Sequence, residues 1–265
     1  MQIEHKLQNL EDNLRAMKSV VVAFSGGVDS ALLLKIAHDC LGEDAIGVTA
    51  VSPSLPEHER NEAEQLARKI GARHEFIVSN EMNDPNYVAN PINRCYFCKQ
   101  EVGEQLFQFA QRKGFDFVID GTNADDAGDH RPGRQAALEK GLRSPLLEVG
   151  LTKAEIRSLA KSFGLPNWDK PAAACLSSRI PYGSLITIEA LSQIERAELL
   201  LRQMGFRQLR VRHHNQIARL EVEPDDFNTL LEQRDEIVTK FKKLGYDYVT
   251  LDLAGFRSGS MNEVL

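Results

Sequence analysis

Ser25-Gly26-Gly27-Val28-Asp29-Ser30 gathers small, hydroxyl-bearing and acidic residues into one short run. Glycines let a backbone turn tightly and aim successive N–H groups at one anion. Ser25 and Ser30 add hydroxyl donors, and a helix starting there adds the positive end of its dipole. The chemistry these residues suit is the holding of phosphate. The spacing is not G-x-x-x-x-G-K-[ST] and lacks that motif's lysine, nor is it the G-x-G-x-x-G dinucleotide fingerprint. Asp29 suits a magnesium ion beside the phosphates, and equally a carboxylate capping the helix. A second run, Asp120-Gly121-Thr122-Asn123-Ala124-Asp125-Asp126, adds Gly121 for close approach of a nucleotide. Asp125 and Asp126 there suit magnesium or substrate, or simply a solvated acidic turn. Arg131-Pro132-Gly133-Arg134 fits a phosphate-facing loop and a plain surface loop alike.

The thiols form the other chemical set. Cys95-Tyr96-Phe97-Cys98 is a C-x-x-C unit, and Cys175 lies far along the chain in a small-residue segment. Three thiolates suit an iron–sulfur cluster with one iron left open. With a histidine as fourth ligand they suit zinc, and Cys95 with Cys98 suits a dithiol redox pair. All three readings are open on spacing alone. Arg179 and Lys170, near Cys175 in sequence, are expected to favour its thiolate. Cys40, late in an apolar helical stretch, reads as buried packing.

These groups need a scaffold. Glu4 to Met17 reads as an amphipathic helix, and Val20 to Phe24 as a strand buried on both faces. The glycine turn then leads into a helix over Ala31 to Leu41. Ala45 to Val51 is a second strand, Glu57 to Ile70 a helix closed by Gly71, His74 to Val78 a third strand, and Phe115 to Asp120 a fourth. Thr152-x-x-Glu155 is a capping box opening a helix that stops near Phe163. Strands alternating with helices imply an α/β fold, a parallel sheet with helices on both faces. After about Pro171 the pattern changes. Helices over Ile188 to Met204 and Asp225 to Leu244, with strands at Leu209 to Arg212, Ile217 to Val222 and Tyr248 to Leu253, imply a smaller α+β domain. The expected division is residues 1–171 and 172–265.

Hydrophobic residues make up 42% of the chain and charged residues 26%, which is ordinary for a chain that buries a core. The net charge of -6 argues against a nucleic-acid-coating protein. No apolar run reaches membrane-spanning length and no signal-peptide pattern opens the chain, so a cytoplasmic location is expected.

The phosphate run resembles the S-G-G-x-D-S signature of the ATP pyrophosphatase (PP-loop) family. The resemblance implies an adenine nucleotide α-hydrolase-like fold, pyrophosphate held on Ser25, Gly26, Gly27, Asp29, Ser30 and Gly121, and ATP split between its α- and β-phosphates with magnesium. GTNADDAGDHRPG at Gly121 to Gly133 and SPLLEVGLTKAEIRSLAKSFGLPNWDKPAAACLSSRIPYG at Ser144 to Gly183 sharpen it. They closely resemble the sulfur transferases that make the nickel-pincer nucleotide cofactor of lactate racemase. The implied substrate is pyridinium-3,5-biscarboxylic acid mononucleotide, whose carboxylate is adenylated and then converted to a thiocarboxylate; the alternative is a tRNA thiolase, since those enzymes share the phosphate run and often a C-x-x-C with a third cysteine. In one branch of that family the cysteine matching Cys175 gives up its own sulfur. In another, three cysteines carry a [4Fe-4S] cluster, and Cys95, Cys98 and Cys175 resemble that branch. Arg210 and Arg212 match a pattern for binding the substrate's phosphate, alternation placing both on one strand face, and Arg179 faces the substrate too. Asp226, Glu195 and Glu198 are acidic candidates for a second metal site or solvated helix positions. A homo-oligomer, exchanging product with other proteins of cofactor biosynthesis, is the expected working form.

Overall fold

The structure, a computed structural model, describes residues 2–128, 141–171, 174–257 and 260–261. In chain order its helices are α1 Ile3–Met17, α2 Val28–Leu41, α3 Glu57–Ile70, α4 Pro85–Val88, α5 Arg94–Lys113, α6 Pro145–Glu148, α7 Lys153–Ser162, α8 Ile188–Gln203, α9 Phe227–Glu232 and α10 Arg234–Lys243. Its strands are β1 Val20–Ala23, β2 Ala45–Val51, β3 Arg73–Val78, β4 Phe117–Ile119, β5 Leu209–His214, β6 Ile217–Val222 and β7 Tyr248–Leu251. The Arg131 to Arg134 loop lies outside the described residues. No helix among them is long and apolar enough to cross a membrane.

The chain divides into two compact units. The first comprises Met1–Asp84 and Asn93–Ala173, the second Pro85–Ile92 and Ala174–Leu265.

The first unit is built on a parallel four-stranded sheet of order β3-β2-β1-β4. Alternation along β1 assigns its side chains to two cores. Val20 and Val22 pack with Leu10, Leu14, Leu33 and Ile156 from α1, α2 and α7. Val21 packs with Ile46 and with Leu106 and Phe109 of α5. Helices therefore cover both faces, the arrangement expected of the alternating pattern. The order reverses between β1 and β4, so the loops after these strands flank a crevice at their carboxyl ends. Those loops are the glycine-rich run and the Asp120 to Asp126 run.

In the second unit β5 and β6 form an antiparallel hairpin, and β7 runs parallel to β6. Asn215, at φ 56°, makes the tight turn between β5 and β6. Leu201 of α8, Val211 and Leu220 of the sheet, and Ile237 and Phe241 of α10 share one core. The long helix expected over Asp225 to Leu244 is three pieces. A 3-10 turn at Pro224–Asp226 precedes α9, and Gln233 (φ -93°, ψ 7°) separates α9 from α10. One side of that break buries Leu230 and the other buries Ile237 and Phe241, so the bend lets both short helices reach the same core.

Candidate active site

β1 delivers the chain to Ser25, and the local bonds fold the run into a closed turn. The Ser30 hydroxyl donates to the Gly27 carbonyl at 3.1 Å and accepts from the Ser25 N–H at 3.3 Å. With that proton committed, Ser25 Oγ is the donor in its 3.2 Å contact with Ser30 Oγ. Gly26 sits at φ 73°, and a Cβ there would lie 3.2 Å from the Ala63 Cβ of α3. Asn167 donates its amide to the Gly26 carbonyl at 3.0 Å, bracing the turn from a distant loop. A cleft of about 550 Å³ beside it is lined by Gly26, Leu66, Asn167 and Lys170. The first bond of α2 runs from the Ala31 N–H to the Gly27 carbonyl. The N–H groups of Val28, Asp29 and Ser30 precede it and have no intrahelical acceptor, which suits an anion at this end.

Asp29 Oδ2 meets the Lys153 ammonium at 2.5 Å, while Asp29 Oδ1 is buried without a hydrogen-bond partner. That unclaimed oxygen fits a magnesium ion arriving with a nucleotide, since magnesium is held by one or two carboxylates plus phosphate. Gly121 packs against the same helix start: a Cβ on it would fall 2.9 Å from the Ser30 nitrogen.

The neighbouring acids are used locally. Asp120 accepts from the Thr122 hydroxyl at 2.8 Å and from Ser144 at 2.7 Å. Asp125 Oδ2 accepts the Lys153 N–H at 2.8 Å, and Asp126 accepts the Asn123 N–H at 3.1 Å. Lys170 is held by Glu59 at 2.6 Å and Glu62 at 2.8 Å.

The C-x-x-C unit lies in the first turn of α5, where a three-residue spacing sets both thiols on neighbouring positions of one face. Cys95 is exposed and Cys98 half-buried. Cys98 donates its thiol to Glu81 at 3.4 Å. Glu81 is 2% exposed and also accepts from Ser52 at 2.8 Å, Ser54 at 2.5 Å and Ser79 at 2.8 Å. Ser52 and Ser79 follow β2 and β3, so one buried carboxylate joins two strand ends to the thiol helix. Sequence reasoning passed over Glu81; its signal was the hydroxyls placed just after two strands. Among the described residues no three histidine, cysteine or acidic side chains gather as a metal site. Cys40 is partly buried against the first core, and burial pushes its thiol up.

In the second unit Cys175 precedes a 3-10 turn, Leu176–Arg179. Its carbonyl accepts from the Ser178 hydroxyl at 2.7 Å and from Arg179 at 2.9 Å. Arg179 is 2% exposed and grips the fully buried Glu198 through Nε at 2.8 Å and Nη2 at 3.1 Å. Its remaining nitrogen also reaches the Ala174 carbonyl at 2.6 Å. Glu198, expected on a solvated helix face or at a metal, is thus a buried ion-pair partner. Burial pushes its carboxyl up, but Arg179, the Val211 N–H and Arg202 outweigh this and hold it below the usual range. Glu195 lies on the same helix, and Asp226 stands just before α9 without a side-chain cap bond to it.

Arg212 is bound in the same manner, its fork on Glu221 at 2.9 Å on both oxygens and its other nitrogen on the Ser178 carbonyl at 2.6 Å. Arg210 differs. It donates to its neighbour Leu209's carbonyl and lies 5.0 Å over the Phe256 ring. Burial, together with the positive charges of Arg179 and Arg212, lowers its pKa to about 10. A half-buried guanidinium among like charges suits an anion.

Residues 5–144 match the family model described as asparagine synthase. An uncharacterized protein of Synechocystis is 48% identical over 99% of both chains. Pyridinium-3,5-bisthiocarboxylic acid mononucleotide synthase of Lactiplantibacillus plantarum is 40% identical over 95% of this chain and 92% of its own. An uncharacterized protein of Methanocaldococcus jannaschii is 31% identical over 96% of this chain and 98% of its own. With its glycine-rich loop at the switch point of a parallel sheet and this likeness along nearly its whole length, the chain belongs to the PP-loop ATP pyrophosphatase family, among the ATP-dependent sulfurtransferases related to that synthase.

Proposed function

We propose that the chain uses ATP to adenylate a carboxylate of pyridinium-3,5-biscarboxylic acid mononucleotide and converts it to a thiocarboxylate. A carboxylate oxygen bonds to the α-phosphorus and pyrophosphate leaves. Sulfur then bonds to the acyl carbon and AMP leaves. The observation that carries this reading is the 40% identity, over nearly the full length, to a synthase of the corresponding bisthiocarboxylic acid mononucleotide.

The residues take roles consistent with it. The Ser25 to Ser30 turn and Gly121 hold the pyrophosphate, and Asp29 holds magnesium, which neutralises charge on the leaving group. Arg210, half-buried beside Arg179 and Arg212, is the guanidinium placed to take the substrate's phosphate. Arg179 and Arg212 shape that region while bound to Glu198 and Glu221. Asp125 and Asp126 brace the nucleotide loop. The second unit contributes to substrate binding and to self-association.

Sulfur is handled by Cys95, Cys98 and Cys175. Three thiols suit a [4Fe-4S] cluster with an open iron, which supplies a bound sulfide when loaded. The donor chemistry fits such a group. Cys175 as its own sulfur donor is the second reading, favoured by the way Arg179 and Ser178 fix its carbonyl independently of the other thiols. Anaerobic purification distinguishes them. The cluster reading expects a brown protein with about four irons per chain, and loss of activity in Cys95→Ala. A colourless protein that works without Cys95, and whose Cys175 loses one sulfur per turnover, supports the donor reading instead. Failure of either form to release pyrophosphate with the pyridinium nucleotide overturns the proposal itself.

A further inference from the structure

The peptide joining Gly26 to Gly27 has no side chain on either flank, and of the planes in the phosphate turn it is the freest to flip. A flip would carry Gly27 from φ -73° into the positive region that glycine enters freely and other residues do not. It would also exchange the two ends of the peptide, since the C=O and N–H of a trans peptide point opposite ways. In the structure the Gly27 N–H meets Ser25 Oγ at 3.3 Å, on the side where the Ser25 and Ser30 hydroxyls are linked. A flipped plane would set the Gly26 carbonyl oxygen there, facing a bound phosphate with negative charge.

Asn167 holds the plane in place. Its Nδ2 donates to the Gly26 carbonyl at 3.0 Å, although 141 positions separate the two residues. The orientation of this amide is forced, because a carbonyl only accepts. Asn167 Oδ1 is the end left over, and it is buried without a hydrogen-bond partner among the described residues. A dry amide oxygen is a standing cost, and such groups call for a task at the other end of the side chain. The loop that carries Asn167 is fastened on both sides. Leu165 before it and Trp168 after it pack against the first core. Lys170 gives its N–H to the Asn167 carbonyl at 3.1 Å and its ammonium to Glu59 and Glu62 of α3, the helix whose Ala63 abuts Gly26.

We propose that Asn167 is a positioning residue for ATP cleavage. By holding the Gly26 carbonyl outward, it keeps the Gly27 N–H and the two serine hydroxyls aimed together at the pyrophosphate that leaves. It acts through the turn, without touching the nucleotide. The inference rests on the reading of the first unit as an ATP-cleaving site.

Calorimetric titration of the full chain with inorganic pyrophosphate and magnesium tests it without substrate or sulfur source. Asn167→Leu keeps the volume, removes the donor and adds no charge, and it is expected to weaken pyrophosphate binding about tenfold or more. Asn167→Gln keeps an amide donor, and the cleft of about 550 Å³ beside Gly26 leaves room for its extra methylene. Its binding is expected to stay within about threefold of the unsubstituted chain. A double-mutant cycle with Gly27→Ala isolates the lock. The added methyl confines that residue to negative φ and forbids the flip whatever stands opposite. With Gly27→Ala as the reference, Asn167→Leu is expected to cost less than about threefold. Undiminished binding by Asn167→Leu, an equal loss in Asn167→Gln, or an equal loss in the Gly27→Ala background overturns the proposal and leaves Asn167 as packing alone. No binding by the unsubstituted chain overturns the nucleotide reading and this inference with it. Melting temperature is followed in each variant, and Asn167→Ser, too short to reach the carbonyl, supplies the reading if Asn167→Leu fails to fold.

Discussion

Arg179, Arg210 and Arg212 look interchangeable in sequence, and their surroundings separate them. Arg179 and Arg212 are buried forks on buried carboxylates, whereas Arg210 has no carboxylate within ion-pair distance among the described residues. Truncating one partner of a buried pair strands the other charge. Arg179→Ala is therefore expected to destabilise the chain by about 3–5 kcal/mol, read in a denaturant melt. Arg210→Met removes a guanidinium already crowded by like charge. Its melt is expected to match the unsubstituted chain while KM for the pyridinium nucleotide rises about tenfold or more. Equal loss of stability in both variants contradicts the distinction. The strand alternation that puts Arg210 and Arg212 on one face was legible in the sequence. Their partners were not, because Glu198 sits on a helix of otherwise ordinary charge pattern and nothing local marks it as buried.

At the scale of elements, close approach decides whether the nucleotide turn keeps its shape. Gly121 admits the start of α2 to within a distance that no side chain allows, a Cβ at 2.9 Å from the Ser30 nitrogen. Gly121→Ala must push the two strand-end loops apart. Pyrophosphate release is expected to slow on the order of 100-fold, as misplacement by about an ångström does, with a stability loss of about 1–3 kcal/mol. The strands of the first sheet and the capped helix α7 were readable because each carries its own signal: apolar runs for the strands, Thr152 and Glu155 for the cap. The helix that bears Cys95 and Cys98 was not. Asn93 precedes it without a side-chain cap, and its first turn mixes thiols, aromatics and charge instead of showing an apolar stripe. Its position became evident only from the Leu106 and Phe109 face that it buries against the sheet.

For the whole molecule, acid is the weak direction. Burial lowers His74 and His213 from the ordinary 6.5. Below that pH the unfolded chain takes up protons that the folded chain refuses, so stability falls as pH falls. Glu155 and Glu198, held below their ordinary 4.5, stabilise the fold above that value and lose their contribution as pH drops further through their folded values. Melting temperature is expected to fall by a few degrees from pH 6.5 to 5.5 and more steeply below 4.5. His74 is singled out by its bonds. Thr49 donates to the Phe24 carbonyl at 2.6 Å, so the ring's Nε2 at 2.8 Å must be the donor to Thr49. His74→Gln is expected to flatten the upper part of the profile, and an unchanged slope there removes His74 from the account. The second unit also has a lesson for anyone cutting the chain. Tyr87 bonds Ser177 at 2.6 Å, and Asn90 bonds the Ile180 and Pro181 carbonyls at 3.2 Å and 2.8 Å. A fragment beginning at residue 174 lacks these partners. On the ribosome the same Tyr87 waits for Ser177 through the synthesis of all the residues between them. That delay lasts about 10 s at ordinary elongation rates. For that interval an otherwise buried phenol stands open to chaperones and proteases.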